Sequence, residues 1–253
     1  MNSTLGIIPA RYLSTRFPGK PLIDIVGKSM IWRVYEQCLK AEGLSKVYVA
    51  TDDERIFREI THKGGLAVMT DSDLVNGTAR CFDAYQKIVS QTGPFENLVN
   101  IQGDEPFIRP EQITEVVNLI KQCDGSIGTL AKVINDPADL NDPNVVKVVL
   151  NENKKAMYFS REAIPFIQGV DKSIWLKKKT FYKHIGIYAF KTSCINAINS
   201  LPQTEPEKAE SLEQLRWLGH GHTISVGISE FQTISVDTPS DLEKAILYAQ
   251  SNT

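Results

Sequence analysis

The sequence is poor in the features that mark several classes of protein. It has no excess of basic charge: 28 lysines and arginines face 30 acidic residues, a formal net charge of −2. No general field therefore draws the chain to nucleic acid or to an anionic membrane, and any anionic ligand must be held by local cations. The four cysteines, Cys38, Cys81, Cys123 and Cys194, form no C-x-x-C pair. That removes the usual zinc and redox spacings and leaves reduced, mostly buried thiols. No run of eighteen apolar residues is free of charge, and the opening Met1-Asn2-Ser3-Thr4 lacks the basic n-region and apolar h-region of a signal peptide. The expectation is a soluble, cytoplasmic protein with no membrane and no nucleic acid among its partners. G-x-x-x-x-G-K-[ST] and G-x-G-x-x-G are both missing, which disfavours Walker-type hydrolysis and dinucleotide redox chemistry. There is no repeat, low-complexity tract or linker, and the 42% hydrophobic and 23% charged fractions are ordinary for a globular chain. A single domain over residues 1–253 is the simplest organisation.

What is present is an alternation of strands and helices. Leu5–Ala10, Val47–Ala50, Leu66–Met69, Leu98–Gln102 and Ser126–Val133 are short apolar runs suited to buried parallel strands. Between them Ser29–Ala41, Asp53–Lys63, Ala79–Val89 and Pro110–Gln122 have helical spacing, with Ser29 placed to cap the first. This predicts an α/β fold, doubly wound around a mostly parallel sheet. After Asn135 the rhythm changes. Val145–Leu150, Ala156–Ser160 and Tyr182–Phe190 read as strands with little helix between them, an inserted region of mixed or antiparallel strands near residues 135–190. Helices near Thr192–Asn199 and Glu207–Leu218, strands at Thr223–Ile228 and Thr233–Val236, and a closing helix at Pro239–Ala249 complete the reading.

In open α/β sheets ligands sit at the carboxyl ends of the strands. The loop after the first strand, Ala10 to Pro21, carries Arg11, Arg16 and Lys20 without an acid, and Ser14, Thr15 and Gly19 let backbone amides approach a ligand. Arginine forks and a lysine point charge suit a polyphosphate. Two further strand ends, Gln102-Gly103-Asp104-Glu105 and Val236-Asp237-Thr238-Pro239, place Asp104 and Asp237 where a metal ion fits, and hard oxygen ligands make Mg2+ the natural choice. An aspartate before Thr-Pro is equally an ordinary helix cap.

The segment Ile7-Ile8-Pro9-Ala10-Arg11-Tyr12-Leu13-Ser14-Thr15-Arg16-Phe17-Pro18-Gly19-Lys20-Pro21-Leu22 closely resembles the opening signature of the 3-deoxy-manno-octulosonate (Kdo) cytidylyltransferases, or CMP-Kdo synthetases. Val49-Ala50-Thr51-Asp52-Asp53, Gln102–Pro106, Tyr158–Arg161, Lys183–Tyr188, Leu212–Arg216 and Val236–Pro239 match in order, so the likeness spans nearly the whole chain. It implies a nucleotide-diphospho-sugar transferase-like fold and a Mg2+-dependent homodimer that turns CTP and a sugar acid into CMP-sugar and pyrophosphate for lipopolysaccharide biosynthesis. The inserted region would serve the dimer contact. Read from the residues alone, Trp32, Trp175 and Trp217 are packing residues, and the place of Trp175 in the insertion also allows it a position at the dimer face. On the nucleotide side the resemblance implies Ala10, Arg11, Ser14, Arg16, Lys20, Arg80, Gln102 and Asp104. It implies Lys20, Arg16, Asp104 and Asp237 in catalysis, Asp104 and Asp237 on the metal, and Arg161, His184, Glu213 and Gln214 on the sugar acid. Taken alone, Arg161 also reads as a charge cap and His184 as a packed strand residue.

One stretch departs from that pattern. Where the family has His-x-Ser-Gly-Thr, an acid and Arg, this chain has Leu74-Val75-Asn76-Gly77-Thr78-Ala79-Arg80. Either the loop has drifted or the acceptor is a variant such as 8-amino-8-deoxy-Kdo. Two readings of other classes remain. Asp71-Ser72-Asp73 is a D-x-D of the kind metal-dependent glycosyltransferases use, although a helix start after Ser72 or Asp73 explains its acids as well; a non-catalytic nucleotide-binding protein would keep the basic loop with little use for the paired aspartates. His220-Gly221-His222 has no third ligand at zinc spacing and reads as a turn.

Overall fold

The structure, a computed structural model, describes residues 3–13 and 17–251. The chain divides into two compact units, Met1–Val117 with Gln232–Thr253, and Asn118–Phe231. The inserted region expected near 135–190 lies inside the second.

In the first unit strand β1 (Thr4–Ala10) leads through a 3-10 turn at Lys20–Leu22 to a hairpin of β2 (Asp24–Ile25) and β3 (Lys28–Ser29), which the apolar periodicity did not announce. Then follow α1 (Met30–Lys40), β4 (Lys46–Thr51), α2 (Glu54–His62), β5 (Ala67–Met69), α3 (Gly77–Thr92), β6 (Asn97–Asn100) and α4 (Pro110–Gln122), within which the chain passes to the second unit. The four longer strands run parallel in the order β6-β1-β4-β5. All of β6 is buried, as are Leu5, Ile7 and Ile8 of β1. A strand covered on both faces has no use for alternation, which is why these segments read as continuous apolar runs.

Helix α1 buries Met30, Ile31, Val34, Tyr35 and Cys38, the face its spacing predicts. Ser29 stands at its N-cap, but its hydroxyl donates to Glu59 and makes no cap bond, so the expected capping role is corrected. Helix α3 starts at Gly77 with Asn76 as cap, its Oδ1 accepting from Ala79 N–H at 2.8 Å, so no helix start lies at Asp71-Ser72-Asp73. The closing helix, Pro239–Ser251, packs Ala245 and Ala249 with Val236 against Ile25 and Met30. The strand expected at Thr233–Val236 is not formed. Val236 is buried and its N–H donates to Asp104 O at 2.9 Å, while Thr233 hydrogen-bonds the Glu105 side chain, so scattered bonds and an apolar anchor hold this segment where a ladder was expected.

The second unit contains β7 (Ile127–Val133), α5 (Pro137–Asn141), β8 (Lys147–Leu150), β9 (Ala156–Ser160), α6 (Trp175–Lys178), β10 (Tyr182–Lys191), α7 (Ile195–Asn199), α8 (Glu205–Glu210), α9 (Gln214–Gly219) and β11 (Ile224–Ile228). Strand β11 runs parallel to β7, whereas the β7–β10, β10–β8 and β8–β9 pairs are antiparallel, the mixed arrangement the loss of rhythm predicted. The single helix expected over Glu207–Leu218 is two, because the chain turns at Ser211 with φ +52°. Trp175 is only 3% exposed and stacks on Phe181, as its reading as a packing residue predicts: the indole belongs to a local core with Ile134 and Leu140 rather than to an exposed face. All four cysteines are free thiols. No described helix is long and apolar enough to cross a membrane.

Candidate active site

The site belongs wholly to the first unit and begins where β1 and β6 end. Gly103, past β6, lies so close to β1 that a Cβ there would stand 2.7 Å from Pro9 O. Only glycine lets the two strand ends meet at this distance, and the next residue, Asp104, is thereby set beside the loop that leaves β1. Gly19 in that loop has φ +74°, and its N–H donates to Tyr12 O at 2.9 Å, which folds the loop back on itself and delivers Lys20. The Lys20 Nζ donates to Asp104 Oδ2 and to Asp237 Oδ1, each at 3.0 Å, across 84 and 217 positions of sequence.

The start of the closing helix is held by the two residues that flank this contact on the C-terminal side, Thr238 and Asp241. The Thr238 hydroxyl donates to Asp241 Oδ2 at 2.8 Å, and Asp241 N–H donates to Thr238 Oγ1 at 3.3 Å. The Val236 bond to Asp104 O then fixes how near Asp237 stands to Asp104. The side chains of Lys20, Asp104 and Asp237 are 13%, 29% and 34% exposed, wet enough to exchange partners.

Ala10, Arg11, Lys20, Arg80, Gln102, Asp104 and Asp237 line one cavity of about 310 Å³, within the size range of small-ligand sites. Ser14 and Arg16, expected on the same ligand, lie outside the described residues. Leu74, Val75 and Asn76, the departure from the family pattern, are part of the wall, and the amide oxygen of Asn76 is engaged in capping α3. Arg80 is 3% exposed and already committed: Nη2 donates to Asp52 Oδ2 at 2.8 Å, and Nη1 to the Thr70 hydroxyl. It ties α3 to the end of β4 and so supports the wall from behind. Glu105 is buried next to Asp104, and its carboxyl is pushed up to about 7 by burial and by the neighbouring charge.

Among the described contacts two carboxylates face one ammonium, so a polyphosphate approaching them needs positive charge beyond that of Lys20. Their oxygens already converge on one cation, the arrangement a divalent metal uses. Among the described residues no cluster of three or more His, Cys, Asp or Glu could hold a metal by itself. That suits Mg2+, which is commonly bound through one or two carboxylates and completed by substrate phosphates and water. Asp71 and Asp73 do not line the cavity: Asp71 pairs with Lys87 at 2.9 Å and Asp73 accepts from the Ser72 hydroxyl.

The remaining candidates lie in the second unit. Arg161 donates to Glu210 O at 2.7 Å and Pro143 O at 3.0 Å, contacts that brace β9 against the loops around it. The His184 ring is walled by Phe159 and Tyr188 and bonded through Nε2 to the Thr129 hydroxyl at 2.9 Å; burial pushes its pKa down to about 3 and keeps it neutral. Gln214 is buried, and Glu213 stands near enough to Tyr188 to help burial raise the phenol's pKa. The Tyr188 hydroxyl is buried with no hydrogen-bond partner among the described residues. Sequence reasoning assigned Tyr188 nothing. The signal was Gly186 inside the strand: a bulge between Ile185 and Tyr188 shifts the register with β7 and brings Tyr188 beside His184.

Comparison with known proteins adds to this geometry. A cytidylyltransferase family model matches residues 5–224. The 3-deoxy-manno-octulosonate cytidylyltransferase of Parabacteroides distasonis is 51% identical over 98% of this chain and 98% of its own length. The 8-amino-3,8-dideoxy-manno-octulosonate cytidylyltransferase of Shewanella amazonensis is 46% identical over 96% of this chain and 97% of its own. A solved CMP:2-keto-3-deoxy-manno-octonic acid synthetase, complexed with CTP, superposes with a TM-score of 0.90 at 38% identity, covering 99% of this chain and all of that one.

Proposed function

The chain belongs to the cytidylyltransferase family, and from that premise we propose that it transfers the cytidylyl group of CTP to 3-deoxy-manno-octulosonate, releasing pyrophosphate. The observation that carries the reading is the Lys20 ammonium held 3.0 Å from both Asp104 and Asp237 in a cavity whose wall includes Arg11. A metal-dependent glycosyltransferase has no support in the placement of Asp71 and Asp73, and a mere nucleotide binder has no use for the paired aspartates.

In the reaction the anomeric hydroxyl of the sugar acid forms a bond to the α-phosphorus of CTP and gives up its proton to water, the bond from that phosphorus to the bridging oxygen breaks, and pyrophosphate leaves with the charge. Lys20, delivered by the Gly19–Tyr12 backbone bond, supplies positive charge for those oxygens as a charged ligand re-partners its carboxylates. Arg11, exposed on the loop, offers a planar fork for phosphate. Asp104 and Asp237 are the residues that would hold Mg2+, which when bound neutralises phosphate charge and makes the sugar hydroxyl more acidic. No covalent nucleophile is needed. The neutral His184, the Tyr188 hydroxyl and Glu213 are polar groups suited to hydroxyls of the acceptor.

The Leu74-Val75-Asn76 wall, together with the Shewanella relative, supports a second acceptor, the 8-amino sugar acid. The reading extends to a cytoplasmic homodimer serving lipopolysaccharide biosynthesis; Met157 and Phe166, 61% and 74% exposed in the inserted region, supply apolar surface for the contact. A pyrophosphate-release panel crossing four nucleoside triphosphates with both sugar acids, Mg2+ present, tests the chemistry. Release from CTP with 3-deoxy-manno-octulosonate is expected, and no release from CTP with either acid overturns the reading.

A further inference from the structure

The Thr51-Asp52-Asp53 corner after β4 is only half used by the cavity. Asp52 holds Arg80, but Asp53 bonds to Arg55, which no part of the reaction described above employs. The Asp53 carboxylate caps α2 by accepting from Arg55 N–H at 2.9 Å and also takes the guanidinium on both oxygens, Nε to Oδ1 at 2.9 Å and Nη2 to Oδ2 at 2.7 Å. An arginine gripped in this way has a fixed plane. Its Cζ lies 3.3 Å from the centroid of the Tyr12 ring, close contact for a cation over an aromatic face.

Tyr12 in turn meets Gly19. Its carbonyl accepts from Gly19 N–H at 2.9 Å, and a Cβ on Gly19 would stand 3.0 Å from the Tyr12 hydroxyl. Tyr12 is the neighbour of Arg11 and Gly19 the neighbour of Lys20, so both described cations of the loop stand one residue from this contact. The Arg55 hydrogen bond holds the Asp53 carboxyl below its usual range, which keeps the anchor ionised through mildly acidic pH.

Resting on the cytidylyltransferase reading, we propose that Arg55, clamped by Asp53, is a positioning residue for the nucleotide triphosphate: it pins the Tyr12 ring, and through the Tyr12–Gly19 contact it sets Arg11 and Lys20 toward one ligand. Arg55 does not touch the substrate in this account. Its contribution is to binding, because Tyr12 and Gly19 are held in contact before CTP arrives.

The test compares Arg55→Ala, Arg55→Lys, Tyr12→Leu and Tyr12→Phe with Arg58→Ala, the exposed arginine of α2 that pairs with Glu54. CTP affinity is read by calorimetry with Mg2+, kcat and KM by pyrophosphate release, and folding by the melting temperature. Arg55→Ala and Tyr12→Leu are expected to raise Kd and KM for CTP about threefold to fivefold, with kcat within about twofold, the upper size of an exposed cation–aromatic contact expressed as affinity. Tyr12→Phe keeps the ring and should stay within about twofold of the parent, Arg55→Lys should fall between, and Arg58→Ala should change nothing. The Arg55→Ala/Tyr12→Leu double variant should be no worse than the poorer single, as expected for one shared contact. Unchanged CTP affinity in Arg55→Ala, an equal loss in Arg58→Ala, or additive losses in the double variant overturn the assignment. If the parent protein itself binds no CTP, the functional reading fails and takes this assignment with it; if the parent binds CTP and Arg55→Ala binds it equally well, only the assignment fails.

Discussion

In the first unit opposite charges from segments far apart in sequence meet in a cavity and keep part of their exposure, as Lys20, Asp104 and Asp237 do. In the second unit, beside the ion pairs Lys183–Asp139 and Arg216–Glu207, several polar groups are buried and kept neutral or satisfied by carbonyls. Lys147 is fully buried, its ammonium donating to Asp142 O at 2.9 Å and to Arg161 O; His184 is held uncharged; the Tyr188 hydroxyl is buried unpaired among the described residues. The difference shows two kinds of preparation. Partly wet ion pairs can be re-partnered by a charged ligand at small cost, whereas a buried neutral donor waits for a neutral acceptor and rejects charge.

The sharpest way to break this contrast is Lys20→Ala. Removing this positive charge from the reacting phosphates should lower turnover about 100-fold with the fold intact, and a fall of less than about threefold would remove Lys20 from the chemistry. Gly103→Ala comes next. Its Cβ meets Pro9 O, a backbone atom that cannot swing aside, so turnover should drop about tenfold as Asp104 shifts, and chemical denaturation should show a loss of about 1–3 kcal/mol. Tyr188→Phe sharpens the second half. Deleting an unpaired buried hydroxyl should leave stability unchanged or higher by up to about 1 kcal/mol, while the KM for the sugar acid rises about fivefold; a large loss of stability would mean that the hydroxyl serves the fold.

The smallest expected effect is on pH dependence. His184 has a folded-state pKa of about 3 against about 6.5 in the unfolded chain, so the unfolded state binds the extra proton. Its contribution to stability is complete above about pH 6.5 and is lost progressively as pH falls toward about 3. His184→Gln should therefore shrink the fall in melting temperature between pH 7 and pH 5 by about 4 °C. An unchanged fall would place the titrating group elsewhere.

Much of the first unit was legible because buried parallel strands and amphipathic helices leave periodic marks, and because a basic loop without acids is conspicuous beside a near-neutral composition. Asp104 and Asp237 were legible as residues, but not the reason they meet. A strand was expected before Asp237, and the structure instead uses scattered contacts, among them the bond from Val236 N–H to Asp104 O and the burial of Val236. No local pattern encodes such a contact. The same holds for Arg55 over Tyr12 and for the Ser29 hydroxyl turning from its own helix to Glu59: each joins segments whose pairing depends on the finished fold. In the second unit the strands were readable, whereas the bulge that aligns His184 with Tyr188 and the turn at Ser211 were not, since single irregularities leave only a glycine or a serine as their trace.

The most direct measurement is a mutant cycle on kcat for pyrophosphate release, with Lys20→Ala, Asp104→Asn, Asp237→Asn and their combinations. If the ammonium and both carboxylates form a single working group, the triple variant should be no slower than the slowest single. Losses that multiply from one variant to the next would contradict that unity.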